Sequence, residues 1–234
     1  MEAQKGVCIV STQVIMAALN EEEGIGLTIA ELQAHLGSAH VLVVDGKSSD
    51  RTIEVARSKG ADVIFQDGSG KGDALAKALK YLNSTADYVV FMDADFTYPA
   101  EFIPEMIEIL KQDHRVGMVI GNRFKGEINF QKSSKNTFYV GNRLLAFAQN
   151  MVNGFTLEDP LSGLRVVRKE ILEDWQPKSK GFDVEAEMNY RVEKKGFEIV
   201  EIPINYRARL GEKKLKLRHG FGILRRIISE SFYT

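Results

Sequence analysis

The chain has 234 residues, 44% hydrophobic and 27% charged, enough for one large domain with a real core. Its net charge of −1 excludes wholesale nucleic-acid binding, yet from Arg207 onward eight Lys and Arg residues stand against two acids, Glu212 and Glu230, so that end expects an anionic partner. A single cysteine, Cys8, excludes an internal disulfide and fits a reducing compartment, and no apolar run reaches the ~18 residues of a membrane span.

"GVCIVSTQVIMAAL" lies between a mixed-charge tail and a run of acids, so it reads as a strand (13–19) and not as a signal peptide, and the chain is expected in the cytoplasm. Further buried strands are expected at 40–45, 61–66, 87–93 and 116–121, with amphipathic helices at 25–36, 50–59, 72–82 and 101–111 between them. This alternation predicts an α/β domain: a Rossmann-like, mostly parallel central sheet with helices on both faces. Right-handed crossovers gather the strands' C-terminal ends on one edge, where open α/β sheets bind ligands. That edge collects Asn20, Glu21, Glu22, Asp45, Asp67, Asp93 and Asp95. Beyond it, Phe138, Leu144, Leu145, Ala148, Met151 and Val152 form a helical stripe closed by Gly154. "SGLRVVR" reads as a strand, 182–194 as a helix and "FEIVEIPINY" as a strand, while 122–137 and 207–220 are polar loops. No repeat or linker divides the chain, so a single domain over 1–234 is expected.

In "VVFMDADFTYP", 89–99, an apolar strand runs into Asp93 and Asp95. Two anions this close repel unless a cation lies between them. Mg²⁺ or Mn²⁺ suits such hard oxygen ligands, Mg²⁺ commonly taking one or two carboxylates plus substrate phosphate. The competing reading is a turn aspartate followed by a helix cap, but Pro99 marks the helix start and leaves Asp95 and Thr97 for other work. In "VVDGKSSDRT", 43–52, Ser49 or Asp50 can cap the next helix, whereas Asp45 is left over and can accept hydrogen bonds from a base or ribose. In "GSGKGDALAKAL", 68–79, glycines permit close backbone approach and Lys71 at a helix start favours an anion, without Walker A spacing. Taken alone, that stretch reads first as a flexible loop.

"LNEE", "VVDGKSSDRT", "GKGDAL" and "MDADFTYP" together resemble the N-terminal half of a family 2 glycosyltransferase of GT-A fold. "GNRF", "GNRLL", "DPLSGLRVVRKEIL", "FDVEAEM" and "YRARLGEKKLKLRHG" are similar to the dolichyl- or polyprenyl-phosphate sugar transferases, colinear over about 14 to 228. The resemblance implies a nucleotide-sugar half over 13–121 and an acceptor half over 122–220. It implies that Leu19, Asn20, Glu21, Glu22, Asp45, Lys71 and Ala94 serve the donor nucleotide and that Asp93 and Asp95 hold the metal. Arg123, Arg143 and Ser162 would grip the acceptor phosphate, and Ser162, Arg165, Asp183 and Glu185 would wall the sugar. Arg209 and Lys214 would close over the pyrophosphate. Gly46, Thr97 and Lys213 depart from the family's pattern, which often has Asp, Gln and Ser there; Gly46 favours UDP over GDP.

The implied reaction is an inverting transfer from a nucleotide sugar to dolichyl or polyprenyl phosphate. An ionised phosphate attacks without a general base, so catalysis by Asp95, Arg123, Arg143 and Arg209 reduces to positioning and charge stabilisation. The alternative is a soluble or saccharide acceptor, with Asp183 or Glu185 as base. A lipid acceptor implies a peripheral position on the cytosolic face of a membrane. Phe221, Leu224, Ile228 and Phe232 recur at helical spacing, with Ile227 beside them and Arg218, Arg225 and Arg226 nearby, so 221–232 is expected to be an amphipathic helix. It either binds anionic lipid or packs on the domain's own sheet or a second subunit in a homodimer.

Overall fold

The computed structural model describes residues 11–37, 39–126, 137–154, 156–212, 214 and 219–230. In chain order the first elements are β1 (Thr12–Ala18), α1 (Ile25–Leu36), β2 (His40–Asp45), α2 (Thr52–Ser58), β3 (Asp62–Phe65), α3 (Lys71–Ala78) and β4 (Tyr88–Phe91). There follow α4 (Ile103–Gln112), β5 (Val116–Asn122), α5 (Thr137–Asn153), β6 (Arg165–Arg168), α6 (Lys169–Leu172), α7 (Val184–Lys194), β7 (Glu198–Pro203) and α8 (His219–Glu230). The described strands form one seven-stranded sheet in the order β3-β2-β1-β4-β6-β5-β7. β6 runs antiparallel to both its neighbours, and all other pairs are parallel.

Successive strand residues point to opposite faces, and β1 is apolar on both. Val14, Met16 and Ala18 enter one buried cluster, closed by Ile25, Ile29 and Leu32 of α1, Ala56 of α2, and Met106 and Leu110 of α4. Ile15 enters the other, closed by Ala74, Leu75 and Ala78 of α3 and by Val184, Met188 and Val192 of α7. The sheet is therefore covered on both faces, as the alternating pattern predicts.

Among the boundaries that differ from the expectation, four stand out. β4 stops at Phe91, so Asp93 and Asp95 lie in the loop beyond it. Pairing with β1 ends at Ile15 opposite Phe91, and the chain then turns out of the sheet, reaching φ 65° at Phe96. The helix expected at 50–59 begins at Thr52. The helix expected at 72–82 is α3 followed by a 3₁₀ turn, Leu79–Tyr81, and that expected at 101–111 opens with a 3₁₀ turn, Ala100–Phe102.

A third cluster joins Leu145 of α5, Ala186 of α7, and Ile223 and Ile227 of α8. The C-terminal helix thus packs on its own domain through Ile223 and Ile227, while Phe221 and Ile228 of the expected stripe are exposed; Phe232 lies outside the described residues. Cys8, residues 127–136 of one expected loop, and Lys213 and Arg218 of the other are likewise outside them. No helix among the described residues is long and apolar enough to cross a membrane.

Candidate active site

At the C-terminal edge of β1 and β2, two loops are fastened to each other. Asn20 N donates to Ser48 Oγ (2.8 Å), Glu21 N to Thr52 Oγ1 (2.8 Å) and Glu22 N to Asp50 Oδ2 (3.1 Å). In return Ser49 N donates to Asn20 Oδ1 (2.8 Å) and Arg51 N to Glu22 Oε2 (3.0 Å). Asp45, fully buried, accepts from Ser48 N (2.8 Å) and Ser48 Oγ (2.6 Å), which accounts for the carboxylate that capping leaves unexplained. "LNEE" and "DGKSSDRT" thus lock to each other, and Asn20 Oδ1, Glu22 Oε2 and both Asp45 carboxylate oxygens accept hydrogen bonds from the protein.

Beside this clasp opens a cavity of about 440 Å³. Leu19, Glu21 and Gly46 line one part, Lys71, Asp93, Ala94, Asp95, Arg123, Glu185, Arg209 and Lys214 the charged middle, and Asn142, Leu161, Phe182 and Ile223 the apolar end. Asn20, Glu22, Asp45, Arg143, Ser162, Arg165 and Asp183 are not among the lining residues.

Cations and carboxylates alternate along the middle. Lys71 Nζ lies 2.5 Å from Asp93 Oδ1 and 2.7 Å from Glu185 Oε1. Arg209 Nη1 lies 2.5 Å from Asp95 Oδ2, and its Nη2 pairs with Glu21 Oε1. Thr97 donates to Asp95 Oδ1 through N (3.2 Å) and Oγ1 (2.5 Å). Burial and the Asp93 charge raise Asp95 above the usual carboxylate range. Burial pulls Asp93 the same way, but the charge and hydrogen bond of Lys71 outweigh it and hold Asp93 below that range. Burial pushes Glu21 up to about 7 against the opposing pull of Arg209. Glu21 Oε2 and Glu185 Oε2 are buried oxygens with no hydrogen-bond partner.

The donor set fits a hard divalent cation: Asp93 and Asp95 face one cavity, within a wall that keeps two further carboxylate oxygens unsatisfied. Among the described residues no three His, Cys, Asp or Glu side chains converge as metal ligands, so the protein offers a carboxylate pair and further ligands must come from substrate or water. Gly163 allows this packing, since a Cβ there would fall 2.6 Å from Asp93 Oδ2.

The remaining expected residues have other surroundings. Arg123 is buried in a bidentate pair with Asp159 (Nε–Oδ2 2.8 Å, Nη2–Oδ1 2.7 Å), and its guanidinium lies 5.7 Å from the Tyr206 ring centre. Asp159 is itself held by Arg123 N, and its own N–H donates to Glu201 Oε1 (2.6 Å). Arg143 is exposed on α5 and donates to Glu158 O (3.3 Å). Ser162 Oγ donates to Gly121 O (2.6 Å). Arg165 is buried, donating to the carbonyls of Ser162, Pro160 and Glu185 and to Asn189 Oδ1 (2.6 Å); burial pushes its guanidinium down to about 10. Asp183 accepts from Gly181 N (3.1 Å) and Arg226 Nε (3.3 Å), and Lys214 Nζ donates to Asn20 O (3.2 Å).

Two backbone amides in the first turn of α3 are taken up by the chain itself. Gly72 N and Asp73 N donate to Gly181 O (3.1 Å) and Lys180 O (3.3 Å), and a Cβ at Gly72 would lie 2.2 Å from Ser179 O. Close chain packing engages the helix start at Gly72 and Asp73, while Gly70 and Lys71 line the cavity. Asp159 and Tyr98, whose hydroxyl accepts from Gly163 N (2.7 Å), escape the sequence reading because their partners are 36 and 65 residues away.

Among curated proteins, the chain is similar to the dolichyl-phosphate hexose transferase of Haloferax volcanii, 36% identical over 206 residues that cover 86% of this chain and 85% of that one. It is 31% identical to the dolichol-phosphate mannosyltransferase of Pyrococcus furiosus, covering 92% of this chain but only 62% of that one. It is 30% identical to the undecaprenyl-phosphate mannosyltransferase of Micrococcus luteus, with 86% of each covered. Among solved structures, glucosyl-3-phosphoglycerate synthase of Mycobacterium tuberculosis, determined with Mn²⁺, UDP-glucose and phosphoglyceric acid, superposes with a TM-score of 0.77 at 23% identity over 95% of this chain and 80% of that one. The fold is that of GT-A glycosyltransferases. The family model for "Glycosyl transferase family 2" matches residues 13–176, and the chain belongs to that family of glycosyltransferases.

Proposed function

We propose that this glycosyltransferase moves a hexose from a UDP- or GDP-sugar to a dolichyl or polyprenyl phosphate, with inversion, aided by Mg²⁺ or Mn²⁺, at the cytosolic surface of a membrane. The observation that carries the reading is the pairing of Lys71 with Asp93 and of Arg209 with Asp95 in one cavity that Arg123 also lines. A wall of this kind suits two phosphate groups and a divalent cation together better than it suits a neutral acceptor. The curated relatives' names, which specify dolichyl or undecaprenyl phosphate, support the acceptor class.

In this reading Asp93 and Asp95 hold the ion, which would neutralise the donor pyrophosphate. Lys71 and Arg209 then turn from their carboxylates toward phosphate oxygens. Arg123, fixed by Asp159, offers its charge to the acceptor phosphate at the cavity wall, and a guanidinium so oriented recognises phosphate as a planar fork. Glu21 and Gly46 border the nucleoside, and Glu185 meets the sugar. Because the acceptor arrives as an anion, the site needs charge compensation and alignment and no proton acceptor.

One observation favours a second reading. Glu185 Oε2 is buried, unpartnered and beside the cavity, as a base for a hydroxyl acceptor would be. Turnover of UDP- and GDP-hexoses with Mn²⁺, offered a short polyprenyl phosphate or a sugar alcohol, separates the two. Metal-dependent transfer to the phosphate supports the first, and transfer to the hydroxyl alone replaces it with the second.

A further inference from the structure

α5 is apolar on two opposite faces. Leu145, Ala146 and Gln149 point into the domain and are at most 9% exposed. Val140, Leu144, Phe147 and Met151 recur at i, i+4, i+7 and i+11, the period of a single helical stripe, and are 50, 65, 63 and 70% exposed. A soluble helix has polar residues on that side, and these are four of the ten large hydrophobic side chains most open to solvent among the described residues. α8 packs against α5 through Ile223 and Leu145 and adds Phe221, 78% exposed, with exposed Arg225 one turn further along.

Two observations identify the occupant of this face. First, both helices border the end of the cavity: Asn142 of α5 and Ile223 of α8 line it beside Leu161 and Phe182. An acceptor whose phosphate reaches Arg123 from that end carries its hydrocarbon out past α5 and α8. Second, exposed cations accompany the apolar stripe, Arg143 on α5 and Arg225 on α8, with no acidic residue within α5. Apolar side chains flanked by arginines suit an anionic lipid interface, into whose acyl boundary they insert while the guanidinium groups meet headgroups.

We infer that the outer face of α5, extended by Phe221 of α8, is a membrane-docking surface that seats the cavity mouth on an anionic bilayer. The inference rests on the lipid-phosphate reading above for its choice of occupant, and it assigns α5 the main part in a role that the sequence pattern raised, as one of two alternatives, for the C-terminal helix.

The test is co-sedimentation of the full chain with phosphatidylcholine vesicles, with and without phosphatidylserine, at low salt. The wild type should partition onto the anionic vesicles and be released by salt. Leu144→Ser combined with Phe147→Ser should lower partitioning at least tenfold while thermal midpoint and nucleotide-sugar binding stay unchanged; Arg225→Glu, which leaves the apolar stripe intact, should weaken it on anionic vesicles only. Unchanged partitioning of the double variant overturns the inference. So does a wild-type dimer that the double variant dissociates, because a second copy then covers the stripe. Transfer to a short, water-soluble polyprenyl phosphate, measured in parallel, reads the proposed reaction by itself. Its loss with vesicle binding intact would fault the reaction, and the reverse pattern would fault only the surface.

Discussion

The Arg123–Asp159 pair is a buried ion pair in which each partner satisfies the other, the two side chains 9% and 1% exposed. Removing one partner leaves a buried charge unmatched, so Arg123→Ala should lower stability by about 3–5 kcal/mol, measured by urea unfolding. Arg123→Ala combined with Asp159→Ala should cost less than the sum of the two single changes. Loss of turnover in Arg123→Ala therefore has to be compared at equal folded fraction, with Arg123→Lys as the milder probe of phosphate recognition. Glu21 makes a different demand. Its folded pKa of about 7 lies above the ordinary value of 4.5, so between those values the folded state holds a proton that the unfolded state has released. Stability contributed by this residue is full below about pH 4.5, falls as pH rises to about 7, and is level beyond. Glu21→Gln cannot lose that proton. Across pH 5 to 7.5, metal-free wild type should lose up to roughly 3 kcal/mol relative to the variant, and equal slopes in the two urea series would refute the assignment.

At the scale of elements, α8 decides between two roles for a basic amphipathic helix. Ile223 and Ile227 are 5% and 1% exposed, and Arg226 lies 3.3 Å from Asp183 and 3.2 Å from Glu230. Ile227→Ala should thus cost about 2–4 kcal/mol in thermal or urea unfolding, whereas Phe221→Ala should cost little. Removal of all residues after His219 would expose Leu145 and Ala186 and is expected to destabilise the domain. Its effect on lipid use cannot be separated from folding. The elements of the first half were legible because each strand is an apolar run of 4 to 7 residues bounded by polar turns, and each helix shows its own period. The place of β6 was not. Its four residues, RVVR, carry no signal of direction, and only in the sheet does it run antiparallel between β4 and β5. The segment leading into it brings Gly163 against Asp93 and Asp159 against Arg123, so this wall of the cavity depends on a pairing that local pattern cannot express. The motifs at the edge of β1 and β2 were legible, but their contacts were not: Asn20, Glu22 and Asp45 bind the two loops to each other there. Glu21, in the same motif, points the other way and reaches the cavity.

For the whole molecule, the cavity pairs its own cations with its own carboxylates. Lys71 sits on Asp93 and Glu185, and Arg209 on Asp95 and Glu21, so the carboxylates that suit a divalent cation already hold organic cations. A metal ion arriving alone must compete with both, and the displaced Lys71 and Arg209 would be left in a low-dielectric wall without a counter-charge. A nucleoside diphosphate brings that counter-charge. Its phosphates can receive Lys71 and Arg209 at the same moment as they complete the shell of the ion. Metal and nucleotide should therefore bind with positive coupling, and by linkage each must raise the affinity of the other by the same factor. Calorimetric titration of Mn²⁺ should give an affinity at least tenfold higher with UDP or GDP present at saturation, a coupling of about 1.4 kcal/mol, after correction for direct metal–nucleotide association. Arg209→Ala removes one competitor, so Mn²⁺ alone should bind that variant more tightly than wild type while the coupling shrinks. A Mn²⁺ affinity that is the same with and without nucleotide, or weaker in Arg209→Ala, would mean that the basic residues do not guard the carboxylates.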